Sequence, residues 1–208
     1  MIDQATLWTY LAVLLGFVFI PGPAVLLTLA RAGKSGTKAG LAAAFGIGVG
    51  DLVHTLMLVL GLSALIYASA TWFLVIKYVG AGYLVYLGLR AFFERSGAGE
   101  VVRVEDVSMG RAFRQAVIAE VLNPKSALFF LAFLPQFVRP ENGSVAGQLL
   151  ILGVLFVIMG TVSTVTVACL AGPLGRIAAR SARSIRWQGR VIGTIYCGLG
   201  LRLALQDR

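Results

Sequence analysis

Three ionisable residues, Asp51, Glu120 and Lys125, stand in runs of otherwise apolar side chains and glycine. Asp51 is followed three positions later by His54, the only histidine of the chain, which makes the two neighbours on a helix. Glu120 precedes the tripeptide Asn123-Pro124-Lys125 by three positions. A carboxyl group can take and release a proton or pair with an amine, and an ammonium can hold a carboxylate. The chemistry open to this set is therefore ion pairing and proton exchange. No Cys/His cluster has metal-ligand spacing, so neither a metal nor a cofactor is expected. "GLSA" at 61–64 offers Ser63 without a base partner, and "AGKS" at 32–35 lacks the leading glycine of a phosphate loop, since residue 28 is Thr28. No enzyme activity is expected.

The segments that carry these residues are broken in a specific way. "FIPGPAVLLTLAR" at 19–31 places Pro21, Gly22 and Pro23 inside a run from Ala5 to Ala30 that holds no charge. About 20 apolar residues cross a bilayer, yet two prolines and a glycine interrupt the helix that crossing requires. "EVLNPKSALFF" at 120–130 carries a second interruption. Pro is favoured at the first position of a helix and Asn is a leading N-cap. Asn123-Pro124 thus reads as the start of a new half-helix, and Gly22-Pro23 as a weaker version of the same device. Each half-helix points the positive end of its dipole toward the break, so two such ends form a cradle for a carboxylate. Kinks in packed helices are the plainer alternative.

Of the 208 residues, 58% are hydrophobic and 13% charged. A soluble domain is about half apolar and about a quarter charged, so the solvent for this chain is lipid. "MIDQ" has an acid where a secretory signal would carry a base, and the first helix is expected to be retained. Apolar windows give six spans, near 5–30, 39–62, 65–90, 112–138, 146–172 and 187–206, the second and third meeting at a turn near Ser63. Trp8, Trp72 and Trp187 lie near span ends, where amphipathic rings favour the interface.

The net charge of +9 follows the same division. Loop cations gather on one side: Arg31, Lys34 and Lys38; Arg90, Arg95, Arg103, Arg111 and Arg114; Arg176, Arg180, Arg183, Arg186 and Arg190. The other side, with both termini, holds Arg139, Arg202 and Arg208. Basic loops stay cytoplasmic, so both termini are expected to face the periplasm. The basicity is an orientation signal rather than a mark of nucleic-acid binding, and attraction to lipid headgroups is its by-product.

Residues 94–111 form a polar linker between two halves, 1–93 and 112–208, of three helices each. The third span carries Gly80, Tyr83, Gly88, Leu89 and Arg90, and the sixth answers with Gly193, Tyr196, Gly200, Leu201 and Arg202, one residue shorter. The first helix of each half is proline-broken. The expected fold is an all-α membrane protein of six transmembrane helices arranged as two inverted-topology repeats. Paired interruptions in corresponding segments point to a midplane site. Pro23 lies eight residues from Arg31 and Pro124 ten residues from Arg114, which sets them ~12 and ~15 Å inside one face at 1.5 Å per residue. Asp51, thirteen residues beyond Lys38, lies ~20 Å in. Intramembrane acids are functional candidates by default, and a static Asp–Lys pair is the bland alternative. Ala42, Gly46, Gly50 and His54 form a small-residue stripe for close helix packing, with His54 read as a packed polar residue. Lys77 is read as snorkelling to the outer interface.

At these residues the chain resembles the lysine-exporter (LysE/RhtB) family of bacterial amino-acid exporters. The resemblance spans nearly the whole chain and rests on three segments, "PGPAVLLTLARAGKSGTKAGLAAAFGIGVGDLV", "KYVGAGYLVYLGLRA" and "VLNPKSALFFLAFLPQF". It implies a multi-pass inner-membrane protein that exports amino acids using the proton gradient. The family's PGP element falls on Pro21, Gly22 and Pro23, the acid of GxxxGD on Asp51, and NPK on Asn123, Pro124 and Lys125. Many relatives have Asn where this chain has Ala24, and a neutral polar residue where it has Glu120. Both departures bear on the identity of the substrate.

The expected function is a secondary transporter for amino acids or close derivatives, coupled to proton antiport. Pro21, Gly22, Pro23, Glu120, Asn123, Pro124 and Lys125 would bind substrate, and Asp51 with Glu120 would carry protons. A homo-oligomer is compatible with such a chain. The alternative is an intramembrane thiol–disulfide carrier of similar architecture. It needs cysteines at the breaks, whereas Cys169 and Cys197 lie in the last two spans.

Overall fold

The computed structural model describes residues 2–19, 22–68, 70–93 and 105–178, with residues 193, 194, 197, 198, 200, 201, 204 and 205 near the end of the chain. Pro21, most of the 94–111 linker, Trp187, Tyr196 and Arg202 lie outside the described residues, as do the side chains of Ser63, Trp72 and Lys77. All regular structure among the described residues is helical. The helices are α1 (Gln4–Phe19), α2 (Pro23–Ser35), α3 (Thr37–Ala68), α4 (Ala70–Phe93), α5 (Met109–Val121), α6 (Pro124–Leu128) and α7 (Val145–Ala178). From α6 the chain runs on through a π-helical turn, Phe129–Phe133, and a 3-10 turn, Leu134–Phe137. Pro135 explains the change of pitch: it has no N–H to give to the preceding turn, and the helical register loosens ahead of it.

Thr37–Gly61 and Val145–Ala171 are each long and apolar enough to cross a membrane. The pairs Gln4–Val18 with Pro23–Ser35 and Met109–Val121 with Pro124–Phe137 satisfy the same test together, bent by 49° and 43° at their breaks. Large apolar side chains such as Trp8, Phe45, Leu60, Leu122 and Val162 point outward, the arrangement expected where lipid is the solvent. The boundary expected near Ser63 is corrected: α3 continues to Ala68 and α4 starts at Ala70. Gly61 and Ser63 weaken a helix without stopping it, because neither removes a backbone hydrogen bond as proline does.

α3 is the central helix, and glycines let its neighbours approach. A Cβ on Gly46 would stand 2.5 Å from the Phe113 carbonyl oxygen, and one on Gly50 2.6 Å from Glu120 Cβ, so this face packs on α5. Gly48 meets Thr161 Oγ1 in the same way at 2.5 Å, and Gly153 receives Thr55, which locks the opposite face to α7. The stripe read from the sequence therefore packs as expected at Gly46, Gly50 and His54.

The segments with matching glycine patterns also meet. Gly193 abuts the Gly88 carbonyl oxygen and Gly200 the Ala81 carbonyl oxygen, each with 2.8 Å to a would-be Cβ. At one end of the bundle, the buried Arg31 donates to the Glu105 carbonyl oxygen at 2.7 Å and to Gln115 Oε1, holding the last turn of α2 to the start of α5.

Candidate functional site

Both breaks are built from local chemistry. Asn123 has extended backbone angles, and its Oδ1 accepts from the Lys125 backbone N–H at 3.0 Å, so it is the N-cap of α6 with Pro124 in the first turn. Gly22 is the N-cap of α2, with Pro23 next and no side-chain cap. The breaks free carbonyl groups that buried backbone cannot leave unpaired. Pro124 cannot donate to the Glu120 carbonyl, which accepts instead from the Asn123 backbone N–H at 3.0 Å, and His54 Nε2 approaches the same oxygen to 2.9 Å, as a second donor with the proton on Nε2. On the other break the Val18 carbonyl accepts from Ser163 Oγ at 3.3 Å. A polar side chain of a neighbouring helix thus completes each interruption.

The two breaks meet. Between them lies a partly open cavity walled by Phe17, Gly22, Pro23, Ile47, Asp51, Glu120, Asn123, Lys125, Ser126, Phe156, Gly160 and Thr164 among others. Lys125 lies across the start of α2: a Cβ on Gly22 would come within 2.9 Å of its Nζ and 3.3 Å of its Cδ. The ammonium also sits 4.4 Å from the centre of the Phe17 ring, a favourable cation–π placement. Opposite are two carboxyl groups, each only 2% exposed. Glu120 accepts from Asn123 Nδ2, at 3.2 Å on Oε1 and 3.1 Å on Oε2, and from Ser126 Oγ. Asp51 lies beside Glu120 and within electrostatic reach of Lys125, and its Oδ1 has no hydrogen-bond partner among the described residues. Gly160 on α7 makes room for it, since a Cβ there would stand 3.3 Å from Asp51 Oδ2.

Residues 15–207 match the family described as LysE type translocator. The chain belongs to that family. A leucine efflux protein of Salmonella typhimurium is 29% identical over 208 residues, covering 95% of this chain and 93% of its own. Uncharacterized membrane proteins of Vibrio cholerae serotype O1 and Pseudomonas aeruginosa are 30% and 33% identical over 195 and 205 residues. These alignments cover 94% and 95% of this chain and 94% of each relative. No solved structure matches the chain.

Of the residues singled out in the sequence, Gly22, Pro23, Asp51, Glu120, Asn123 and Lys125 share the cavity wall. Pro124 starts α6 but is exposed and not part of the wall, and Pro21 lies outside the described residues. Cys169 is exposed on α7 and Cys197 half-buried beside Gly88, both free and neither on the cavity. Among the described residues no group of three or more His, Cys, Asp or Glu is placed to hold a metal ion. Sequence reasoning missed Ser126, Phe156, Gly160 and Thr164. A signal existed: Phe156, Gly160, Thr164 and Ala168 recur every fourth residue, the spacing that marked α3.

Proposed function

We propose that this protein exports amino acids, or close derivatives with apolar side chains, across the bacterial inner membrane as a secondary transporter coupled to proton antiport. The observation that carries this reading is the placement of Lys125 against the uncapped start of α2, facing Asp51 and Glu120 across one cavity. An ammonium beside free helix N–H groups suits a carboxylate. Ala24 and Val25, the first residues after Pro23, line the cavity, whereas at α6 the Lys125 N–H is already taken by Asn123. The α2 end is therefore the better seat. The two carboxyl groups suit an α-ammonium and a transferable proton, and Phe17, Val18, Ile47 and Phe156 suit an apolar side chain. The name of the Salmonella relative, a leucine efflux protein, favours the same substrate class.

In this reading the chain is two three-helix repeats, 1–93 and 112–208, of inverted topology about the linker 94–111, with both termini periplasmic. The paired broken segments and the one-sided Arg and Lys loops support it. The test is export by cells challenged with leucine-containing dipeptides. Cells with the wild-type protein should clear internal leucine faster than cells lacking it, and Asp51→Asn and Lys125→Ala should abolish the difference. Equal clearance by wild type and both variants would remove the proposed roles.

A further inference from the structure

We infer that Asp51 is the one exchange point, where the coupling proton and the substrate's ammonium group compete, while Glu120 is a positioning residue whose carboxylate stays fixed. The inference rests on the transport reading above and divides a labour that reading leaves shared.

Glu120 has no freedom to serve as an exchange site. Both carboxylate oxygens accept from Asn123 Nδ2, Oε1 accepts from Ser126 Oγ as well, and its backbone carbonyl is held by His54. Its Cβ is wedged against Gly50. Asn123 is in turn anchored by its cap bond to Lys125 N–H. Moving the Glu120 carboxylate would break its bonds to Asn123 and Ser126 at the start of α6. Asp51 is held only in part: its backbone carbonyl accepts from Thr55 Oγ1 at 2.9 Å, and its carboxyl meets that of Glu120. It lines the same cavity, Gly160 leaves space beside it, and its buried Oδ1 lacks a partner among the described residues. A buried carboxyl oxygen demands either a proton or a donor. An α-ammonium brings three donors and cannot occupy that oxygen together with the proton.

The groups that face Asp51 allow such an exchange. Glu120 comes from α5, Lys125 from α6 and Tyr10 from α1. Tyr10 is committed, donating to the Leu152 carbonyl at 2.8 Å. From α7 the cavity receives the uncharged Phe156, Gly160 and Thr164, and from α2 Gly22, Pro23, Ala24 and Val25. His54, on Asp51's own helix, is occupied with the Glu120 carbonyl. In the exchange the O–H bond of the Asp51 acid breaks, its proton leaves to the open aqueous side, and an N–H of the ammonium donates to the freed oxygen. One proton is released for each amine bound, and no electrons move.

The experiment is titration calorimetry on the full-length protein in detergent, with L-leucine as the probe, between about pH 5 and pH 8. Competition at one carboxyl makes the apparent Kd rise about tenfold per pH unit toward the acid side. Asp51→Asn should lose that slope, Asp51→Glu should keep it at a displaced pH, and Glu120→Gln, which removes a charge beside Asp51, should also keep it at a displaced pH, with a lower melting temperature. Ser126→Ala, a milder change that removes one donor to Glu120, should leave the pH profile in place. The inference is overturned if the slope survives in Asp51→Asn, if Glu120→Gln or Ser126→Ala abolishes it, or if sodium rather than pH governs the affinity. Absence of binding by leucine and by the other amino acids overturns the transport reading itself, and this inference with it.

Discussion

Lys125 leans across Gly22, a contact between residues 103 positions apart in the chain that only the absence of a side chain at residue 22 permits. Each belongs to a helix start, so the contact joins the two breaks at their caps. Gly22 has φ −124° and ψ −174°, a conformation open to any residue, so the reason for glycine here is space. Gly22→Ala should fold normally but push the ammonium, the flexible end of the side chain, off the start of α2. The expected outcome is about a tenfold rise in KM for export, worth about 1.4 kcal/mol, with kcat little changed. Vesicle transport measured against substrate concentration checks it, and an unchanged KM refutes it.

Asn123 holds two structures together with one side chain: Oδ1 caps α6 and Nδ2 supports the Glu120 carboxylate. Loss of an N-cap costs about 1 kcal/mol, and a buried carboxylate deprived of a donor adds about 1–3 kcal/mol. Asn123→Ala should therefore lower the melting temperature in detergent far more than Asn123→Ser, which keeps a capping oxygen. Equal destabilisation by the two would mean that the cap contributes nothing.

His54 acts on the break rather than on the proton. Its ring stacks on Phe130, centroids 5.6 Å apart, and Nε2 gives the Glu120 carbonyl a second donor beside the Asn123 N–H. His54→Leu should destabilise by about 1 kcal/mol, the worth of one hydrogen bond, since the Asn123 N–H still serves the carbonyl. His54→Gln, which offers an amide N–H in place of the imidazole, should recover part of that loss and keep the wild-type pH profile of export. A pH profile lost in His54→Gln would make the imidazole a proton carrier instead.

The breaks were legible because they are local. Asn123-Pro124 and Gly22-Pro23 announce helix starts through propensity and capping alone, and both form where expected. The α3 stripe was legible for the same reason: small residues every fourth position mark a packing face whatever the partner. The company Asp51 keeps was not legible. Its approach to Glu120 depends on how closely Gly50 lets α5 come, and its space depends on Gly160 in a helix whose apolar residues surround it. In lipid both faces of a span are apolar, so hydrophobic periodicity cannot say which side of α7 looks inward. The α3–α4 boundary was misplaced because Gly61 and Ser63 resemble a turn only where water competes for the backbone.

Two glycine substitutions separate packing from propensity. Gly33 lies within α2 with nothing near a would-be Cβ. Gly33→Ala should be neutral or stabilising by up to about 1 kcal/mol, because alanine loses less backbone freedom in a helix. At Gly50 the same gain is available, but the new methyl would stand 2.6 Å from Glu120 Cβ and 2.9 Å from its Cγ, with the Val117 carbonyl oxygen at 3.3 Å. Neither Glu120 carbon is the free end of a side chain, and the carboxylate beyond them is held by Asn123 and Ser126. α3 and α5 must separate to admit it, at a cost of about 1–3 kcal/mol as for other overpacked sites. That separation also carries Glu120 away from Asp51. Gly50→Ala should accordingly lower the melting temperature and reduce export together, whereas Gly33→Ala should change neither adversely. Thermal unfolding in detergent and vesicle export on the same preparations check both, and a tolerated Gly50→Ala would mean that the close approach of α3 and α5 is not what sets the carboxyl pair.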